Sequence, residues 1–215
     1  VDFGNSKLLL KAFNYVIFST IKSINFRFFS HQQPLILINK VLEKQKRKNM
    51  GNQEKKGICI YPGSFDPVTN GHINLIERSL HIFDQIIVAV ANNPDKSSSL
   101  FSAEERKEMI EISLGNNKRV IVDSFDGLLV DYAKKMNIHT ILRGMRAASD
   151  FEYEFEMTFM NRKLYRDMET IFMMTGLRWF FVHSSGIKAA VKAGADVAGL
   201  VPDIVAKRLL EKFHK

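Results

Sequence analysis

The distinctive residues of this chain suit phosphate chemistry. In Tyr61-Pro-Gly-Ser-Phe-Asp-Pro-Val-Thr-Asn-Gly-His72, Gly63 lets a ligand approach the backbone closely. Asn70-Gly71 then leads into a helix whose first turn carries His72. A helix start offers unpaired amides and a partial positive charge, and an imidazole there can donate to a phosphate oxygen. Lys96 ends the run Asn92-Asn-Pro-Asp-Lys96, while Arg143 and Arg146 bracket Gly144 and Met145. Taken singly, His72 reads as a capping or surface histidine, Lys96 as a solvated loop lysine and Arg143 as half of a surface salt bridge. Two cations at two strand ends facing one site favour the functional reading. Neither G-x-G-x-x-G nor G-x-x-x-x-G-K-[ST] occurs, so a dinucleotide fingerprint and a Walker loop are both missing. Cys59 is the one cysteine, which excludes an intramolecular disulfide and a Cys-rich zinc site. Glu152 and Glu156 lie one turn apart on a predicted helix, but no histidine or second carboxylate loop points to a metal site built by the protein.

The elements that must position these residues alternate. Apolar runs predict strands over 58–61, 85–91, 119–122, 139–142 and 170–174. Helical spacing predicts helices over 72–83, 128–136 and from Asp150 to about Arg166. Ser102-Ala-Glu-Glu105 is a capping box for a helix to about Leu114. Ser184 or Ser185 can cap a helix toward Ala193, and Pro202 suits the first turn of a last helix through Phe213. Strands separated by helices imply βαβ units and an α/β, doubly wound parallel sheet. Ligands of such sheets bind beyond the carboxyl ends of the strands at a topological switch point. The loops that carry the residues above follow the predicted strands.

The stretch P-G-S-F-D-P-x-T-x-G-H resembles the signature of the nucleotidyltransferases that carry a T/H-x-G-H motif. Lys96, the helix start Phe101-Ser-x-Glu-Glu-Arg106, the block Arg143-Gly-Met-Arg-Ala-Ala-Ser-Asp-Phe-Glu-Tyr-Glu154 and the tail Gly194-Ala-Asp-Val-Ala-Gly-Leu-Val-Pro make it similar to the bacterial phosphopantetheine adenylyltransferases, from roughly Lys56 to the C-terminus. The resemblance implies a Rossmann-like nucleotidyltransferase domain. It implies transfer of an adenylyl group from ATP to 4′-phosphopantetheine with Mg2+, giving dephospho-coenzyme A and pyrophosphate in the cytoplasm, in a homohexamer. It further implies that Ser64 and Phe65 lie at the edge shared by both substrates, and that His72 contacts ATP phosphate and steadies the transition state. Lys96 and Arg143 would bind the acceptor's phosphate, and Leu128 and Leu129 its pantetheine arm, though both leucines also read as ordinary core. Gly144, Met145, Arg146, Glu154 and the segment Trp179, Phe180, Phe181, Val182, His183, Ser184, Ser185 would line ATP. One departure is visible. The family's run has the form S-S-[ST]-x-[IV]-K, whereas His183 stands here at its first serine and Gly186 follows the last. His183 then either adds a phosphate contact or packs as a substitute. Another adenylyl- or cytidylyltransferase of the same superfamily is the alternative, and the acceptor side discriminates.

Composition bounds the other classes. The chain has 215 residues and a formal net charge of +8. Residues 1–49 hold nine Lys/Arg and two Asp/Glu, and the remaining chain holds 22 and 21. The basicity therefore belongs to the N-terminal segment, and a nucleic-acid or membrane-binding protein is not expected. No run of about 18 apolar residues occurs, which argues against a membrane-spanning helix. Residues 1–49 contain no methionine and do not resemble the family. Three readings stand for them: translation from upstream of a true start at Met50, a transit peptide, or an arm that binds a membrane surface or partner. On any of these, 50–215 is expected to form the nucleotidyltransferase domain, with 1–49 an extension outside the functional fold.

Overall fold

The computed structural model describes residues 57–92 and 99–213. Lys96 and the segment before Gly57 lie outside the described residues. Strands form where the apolar runs predict them: β1 Ile58–Gly63, β2 Gln85–Asn92, β3 Val120–Asp126, β4 Thr140–Met145 and β5 Glu169–Met174. Between and after them run α1 Asn70–Ser79, α2 Ala103–Ser113, α3 Leu129–Met136, α4 Ala148–Leu164, α5 Ser184–Lys192 and α6 Asp203–Phe213, with a 3-10 turn at Leu177–Trp179. All neighbouring strands are parallel, in the order β3-β2-β1-β4-β5. The doubly wound α/β sheet follows as expected.

Side chains of the central strands are buried on both faces, as a parallel sheet requires. Cys59 and Tyr61 of β1 and Ile86, Val88 and Val90 of β2 join one core with Leu75, Ile76, Met109, Ile110, Ile187, Val191, Val205 and Leu209. The alternate residues Ile60, Ile87 and Ala89 join the other core with Val130, Tyr132, Ala133 and Met168. Helices α1, α2, α5 and α6 therefore cover one face and α3 the other. Among the described residues no helix is long and apolar enough to cross a membrane.

The strand order reverses at β1, and there the sheet opens. β1 runs beside β2 from Ile58↔Gln85 to Gly63↔Val90, but it pairs with β4 at Ile60↔Ile141. Pro62, which has no N–H to give a ladder, lies beyond that point. Pro62-Gly63 thus ends the strand instead of forming the turn after it, and Arg143, Gly144 and Met145 belong to β4 instead of the loop beyond it. β3 also runs past Val122 to Asp126. An edge strand accommodates the polar Asp123, Ser124 and Asp126 that interrupt its apolar pattern.

Candidate active site

The opening between β1 and β4 holds a cavity of about 490 Å³, lined among others by Ser64, Phe65, His72, Arg143, Gly144, Arg146, Glu154, Val182, His183 and Ser184. It lies at the switch point, where ligands of open α/β sheets bind. Phe65 shapes its floor. The residue is buried and adopts φ 47°, a left-handed conformation that costs a non-glycine residue about 1–2 kcal/mol. Burying the ring returns a comparable amount, about 1.5–3 kcal/mol. The ring packs edge-on against Tyr61 and His72, with centroids 5.3 and 5.2 Å away. It also fills the space that a side chain on residue 63 would need: a Cβ there would lie 2.9 Å from Phe65 Cζ. Gly63 is therefore required for the turn to close.

His72 is both a helix cap and a cavity group. Thr69 is the N-cap of α1. The Thr69 N–H donates to His72 Nδ1 at 3.0 Å, and the His72 N–H reaches back to Thr69 Oγ1 at 3.4 Å. The ring thus occupies the place that Glu or Gln takes in a usual capping box. A nitrogen that accepts cannot carry the proton, so the neutral ring bears it on Nε2. Burial, with the Arg146 charge added, pushes the His72 pKa down to about 4. The histidine is consequently a neutral donor, not a cation, at physiological pH. Gly71 allows the helix start to pack on Trp179, whose Cβ would lie 3.3 Å from a Cβ at that position.

Both arginines of the cavity arrive with a carboxylate partner. Arg143 Nε donates to Glu154 Oε2 at 2.7 Å and Nη2 donates to Oε1, completing a fork, while Nη1 donates to the Pro62 carbonyl at 3.2 Å. Burial lowers the Arg143 pKa, and the bonds and charge of Glu154 outweigh this and raise it. A guanidinium has five N–H groups, so one on Nη1 and one on Nη2 are left for a ligand. Glu154 is buried beneath this pair and orients Arg143, a role the sequence does not suggest. Arg146 lies 3.5 Å from Asp150, whose carboxylate also accepts from the Arg146 and Ala147 amides and so serves the start of α4. Asp150, Tyr61 and Tyr153 line the cavity too. For Asp150 the signal in the sequence is its place at the head of an acidic-aromatic helix.

The remaining expected residues divide. Leu129 lines a second cavity of about 280 Å³ that shares Ser64, Arg143, Tyr153 and Glu154 with the first and continues past Phe125, Met157 and Asn161. Thr170 Oγ1, a buried side-chain oxygen without a hydrogen-bond partner, belongs to a residue of that lining. Leu128 is exposed as the residue before α3 and lines neither cavity. Met145 is buried, and its carbonyl accepts from the Thr175 amide. Trp179 is engaged with α1 and with the Arg178 guanidinium 4.7 Å from its ring. Phe180 and Phe181 turn outward, Phe181 by 86%. None of these four lines the main cavity. Ser185 does not either; its Oγ lies 2.9 Å from His183 Nδ1. The cap of α5 is His183, with Nδ1 accepting from the Gly186 N–H at 3.0 Å, instead of Ser184 or Ser185. Ser184 Oγ donates to the Pro67 carbonyl at 2.8 Å and ties α5 to the loop after β1.

Comparison with known proteins sets the class and the family. Residues 60–190 match the cytidylyltransferase-like family model, which sets the class: an α/β nucleotidyltransferase. The chain is 58% identical over 156 residues to a phosphopantetheine adenylyltransferase of Desulfosudis oleivorans, covering 73% of this chain and 92% of that protein. It is 52% identical over 158 residues to one of Syntrophus aciditrophicus, covering 74% and 95%. It is 53% identical over 155 residues to one of Dictyoglomus thermophilum, covering 72% and 94%. The chain belongs to the phosphopantetheine adenylyltransferase family.

Proposed function

We propose that the main cavity transfers the adenylyl group of ATP to 4′-phosphopantetheine, forming dephospho-coenzyme A and releasing pyrophosphate in coenzyme A biosynthesis. The observation that carries this reading is His72, a neutral donor held by the α1 cap at the mouth of the reversal between β1 and β4. An oxygen of the acceptor's phosphate attacks the α-phosphorus, and the bond from the α-phosphorus to the bridging oxygen breaks. Pyrophosphate leaves with the electron pair. The nucleophile is already an anion at neutral pH, so no side chain has to remove a proton. Catalysis then consists of holding two anions in line and stabilising the charge that builds between them.

His72 Nε2–H donates to an oxygen of the α-phosphate, where charge grows as the reaction proceeds. Arg143, with its two remaining N–H groups, and Lys96 take the acceptor's phosphate. Gly144, Arg146, Val182, His183 and Ser184 line the nucleotide, and Ser64 and Phe65 form the shared edge. The second, more apolar cavity suits the pantetheine arm along Leu129. This second cavity favours the reading over another adenylyl- or cytidylyltransferase. Mg2+ accompanies the ATP phosphates and neutralises part of their charge. Among the described residues no three His, Cys, Asp or Glu side chains gather to hold it, and Asp150 and Glu154 are engaged by the arginines. Phosphate oxygens and water, the usual ligands of Mg2+ in such sites, fit better.

The proposal includes a homohexamer, with α4 as a packing surface. Phe151, Phe155 and Phe159 lie on one face of that helix, with ring centroids 5.5 and 4.6 Å apart, and all three are exposed together with Met160 and Leu164. A contiguous apolar patch of this kind marks an interface. The proposal also sets the reaction in the cytoplasm, where ATP is supplied, and leaves residues 1–49 outside the catalytic domain. The test is to supply purified protein with ATP, Mg2+ and 4′-phosphopantetheine and to follow pyrophosphate and dephospho-coenzyme A together. Both products should form in equal amounts. A folded protein that makes neither overturns the reading.

A further inference from the structure

Gly186 and His183 look like two separate departures in the sequence, but in space they meet. The His183 ring lies across the α-carbon of Gly186: a Cβ there would stand 2.7 Å from Cε1, 2.9 Å from Nε2 and 3.2 Å from Nδ1. The first two are closer than real Cβ atoms come to other atoms, so a side chain at 186 would force the ring to shift. Meanwhile Nδ1 accepts the Gly186 N–H at 3.0 Å and lies 2.9 Å from Ser185 Oγ. The proton of the neutral ring therefore sits on Nε2, as in His72. Both rings line the same cavity.

We infer that His183 and Gly186 form one functional unit, in which the glycine seats an imidazole that caps α5 and presents a second Nε2–H donor to the nucleotide's phosphates. The inference rests on the main cavity being the ATP site. A serine at 183 would also cap α5, since a hydroxyl oxygen accepts an amide at a helix start. It would have no second donor at the far side of a ring. The glycine disfavours the helix it stands in, and the close approach of the ring gives its physical reason.

The experiment compares wild type with H183N, G186A and the double variant, reading the melting temperature, Mg-ATP affinity by calorimetry and KM for each substrate. Asparagine is a strong N-cap but does not reproduce the Nε2–H. H183N should keep the melting temperature within a few degrees and lose about 10-fold in ATP affinity, the loss expected for one hydrogen bond to a charged group. KM for 4′-phosphopantetheine should change little. G186A should lose similar affinity and melt earlier, because the ring is displaced and the cap goes with it. In the double variant, ATP affinity should match H183N alone, and the melting temperature should equal or exceed that of H183N. An H183N protein that binds ATP like wild type makes His183 a cap only and overturns the inference, as does a G186A protein of unchanged affinity. A wild type that binds no ATP instead overturns the nucleotide reading, and this inference falls with it.

Discussion

Asp66 should prove a structural keystone of the site, and a conservative change there should be as damaging as a drastic one. The side chain is 7% exposed. Its Oδ1 accepts from the Phe101 amide at 3.0 Å, and its Oδ2 accepts from the Leu100 amide at 3.0 Å and from Lys188 Nζ at 2.6 Å. Three donors from two segments thus converge on one carboxylate: the loop after β1 carries it, and the entry to α2 and helix α5 bind it. Asp66→Ala leaves two amides without an acceptor, each costing about 1–3 kcal/mol when buried. Lys188, with 27% of its side chain exposed, can turn toward water and adds less than the 3–5 kcal/mol of a fully buried broken pair. The expected loss is about 3–5 kcal/mol. At about 2–4 °C per kcal/mol for a domain of this size, the melting temperature should fall by roughly 6–20 °C. Asp66→Asn keeps the shape, but its NH2 must face a donor whichever way the amide is turned. It should therefore cost about as much as alanine, whereas a surface Asp→Asn change stays within about 0.5 kcal/mol. Urea unfolding of the three proteins at pH 7 decides. An asparagine variant within about 0.5 kcal/mol of wild type would refute the convergence of donors on Asp66.

Replacing His72 separates cap from chemistry. His72→Ala should lower turnover by about a hundred- to a thousand-fold, while His72→Gln, which can fill the capping box and still donate, should retain stability and part of the turnover. Its pKa of about 4 in the folded protein lies below the unfolded value of about 6.5. The unfolded chain therefore binds the proton first, and stability is lost as pH falls from about 6.5 toward 4. Wild type should therefore lose stability relative to His72→Gln across that window, and ring NMR should show an Nε2–H tautomer titrating near the lower end. Lys96→Ala should raise KM for 4′-phosphopantetheine more than KM for ATP, by about 10-fold or more for a lost charge-assisted contact; equal damage to both would contradict its acceptor role. A protein that starts at Met50 should keep the turnover and melting temperature of the full chain, and an inactive short form would make residues 1–49 part of the fold.

Much of the architecture was legible because it rests on local rules. Ser102 and Glu105 form the reciprocal cap that their spacing predicts, with Glu105 N–H to Ser102 Oγ at 3.1 Å. Gln85 to Ala91 is a strand because every residue in its centre is buried from both sides. The misses have long-range causes. β1 continues through Pro62 because β2 pairs with it as far as Gly63↔Val90, a long-range partner that no pattern within β1 can reveal. Cap rules favour Ser184 or Ser185, but His183 wins because Gly186, three residues on, leaves room for a ring. The candidate cations were legible as residue types, whereas their pairing was not. Glu154 lies 11 positions from Arg143, and only the packing of α4 beside β4 makes it a clamp. Likewise, the sequence leaves His72 free to gain a proton near neutral pH, and its burial, with Arg146 beside it, keeps the ring neutral well into the acid range.

That pairing has a mechanistic consequence. Among the described residues lining the main cavity, Arg143 is matched by Glu154 and Arg146 by Asp150, so these side chains give the pocket little net charge. Unpaired arginines would attract ATP, acceptor and pyrophosphate alike, and attraction shared by ground state and transition state does not accelerate the chemical step. Matched arginines attract less in the ground state and are held rigid by their carboxylates. Selective stabilisation then falls to donors whose positions the backbone fixes before any substrate arrives. His72 is held by the Thr69 amide at the start of α1, and His183 by the Gly186 amide at the start of α5. On the proposed reading, in each case the helix terminus that favours a phosphate also orients the ring that would donate to it. A donor fixed in this way need not reorganise as charge develops on the α-phosphate, which is the condition under which a neutral hydrogen bond contributes most to the rate.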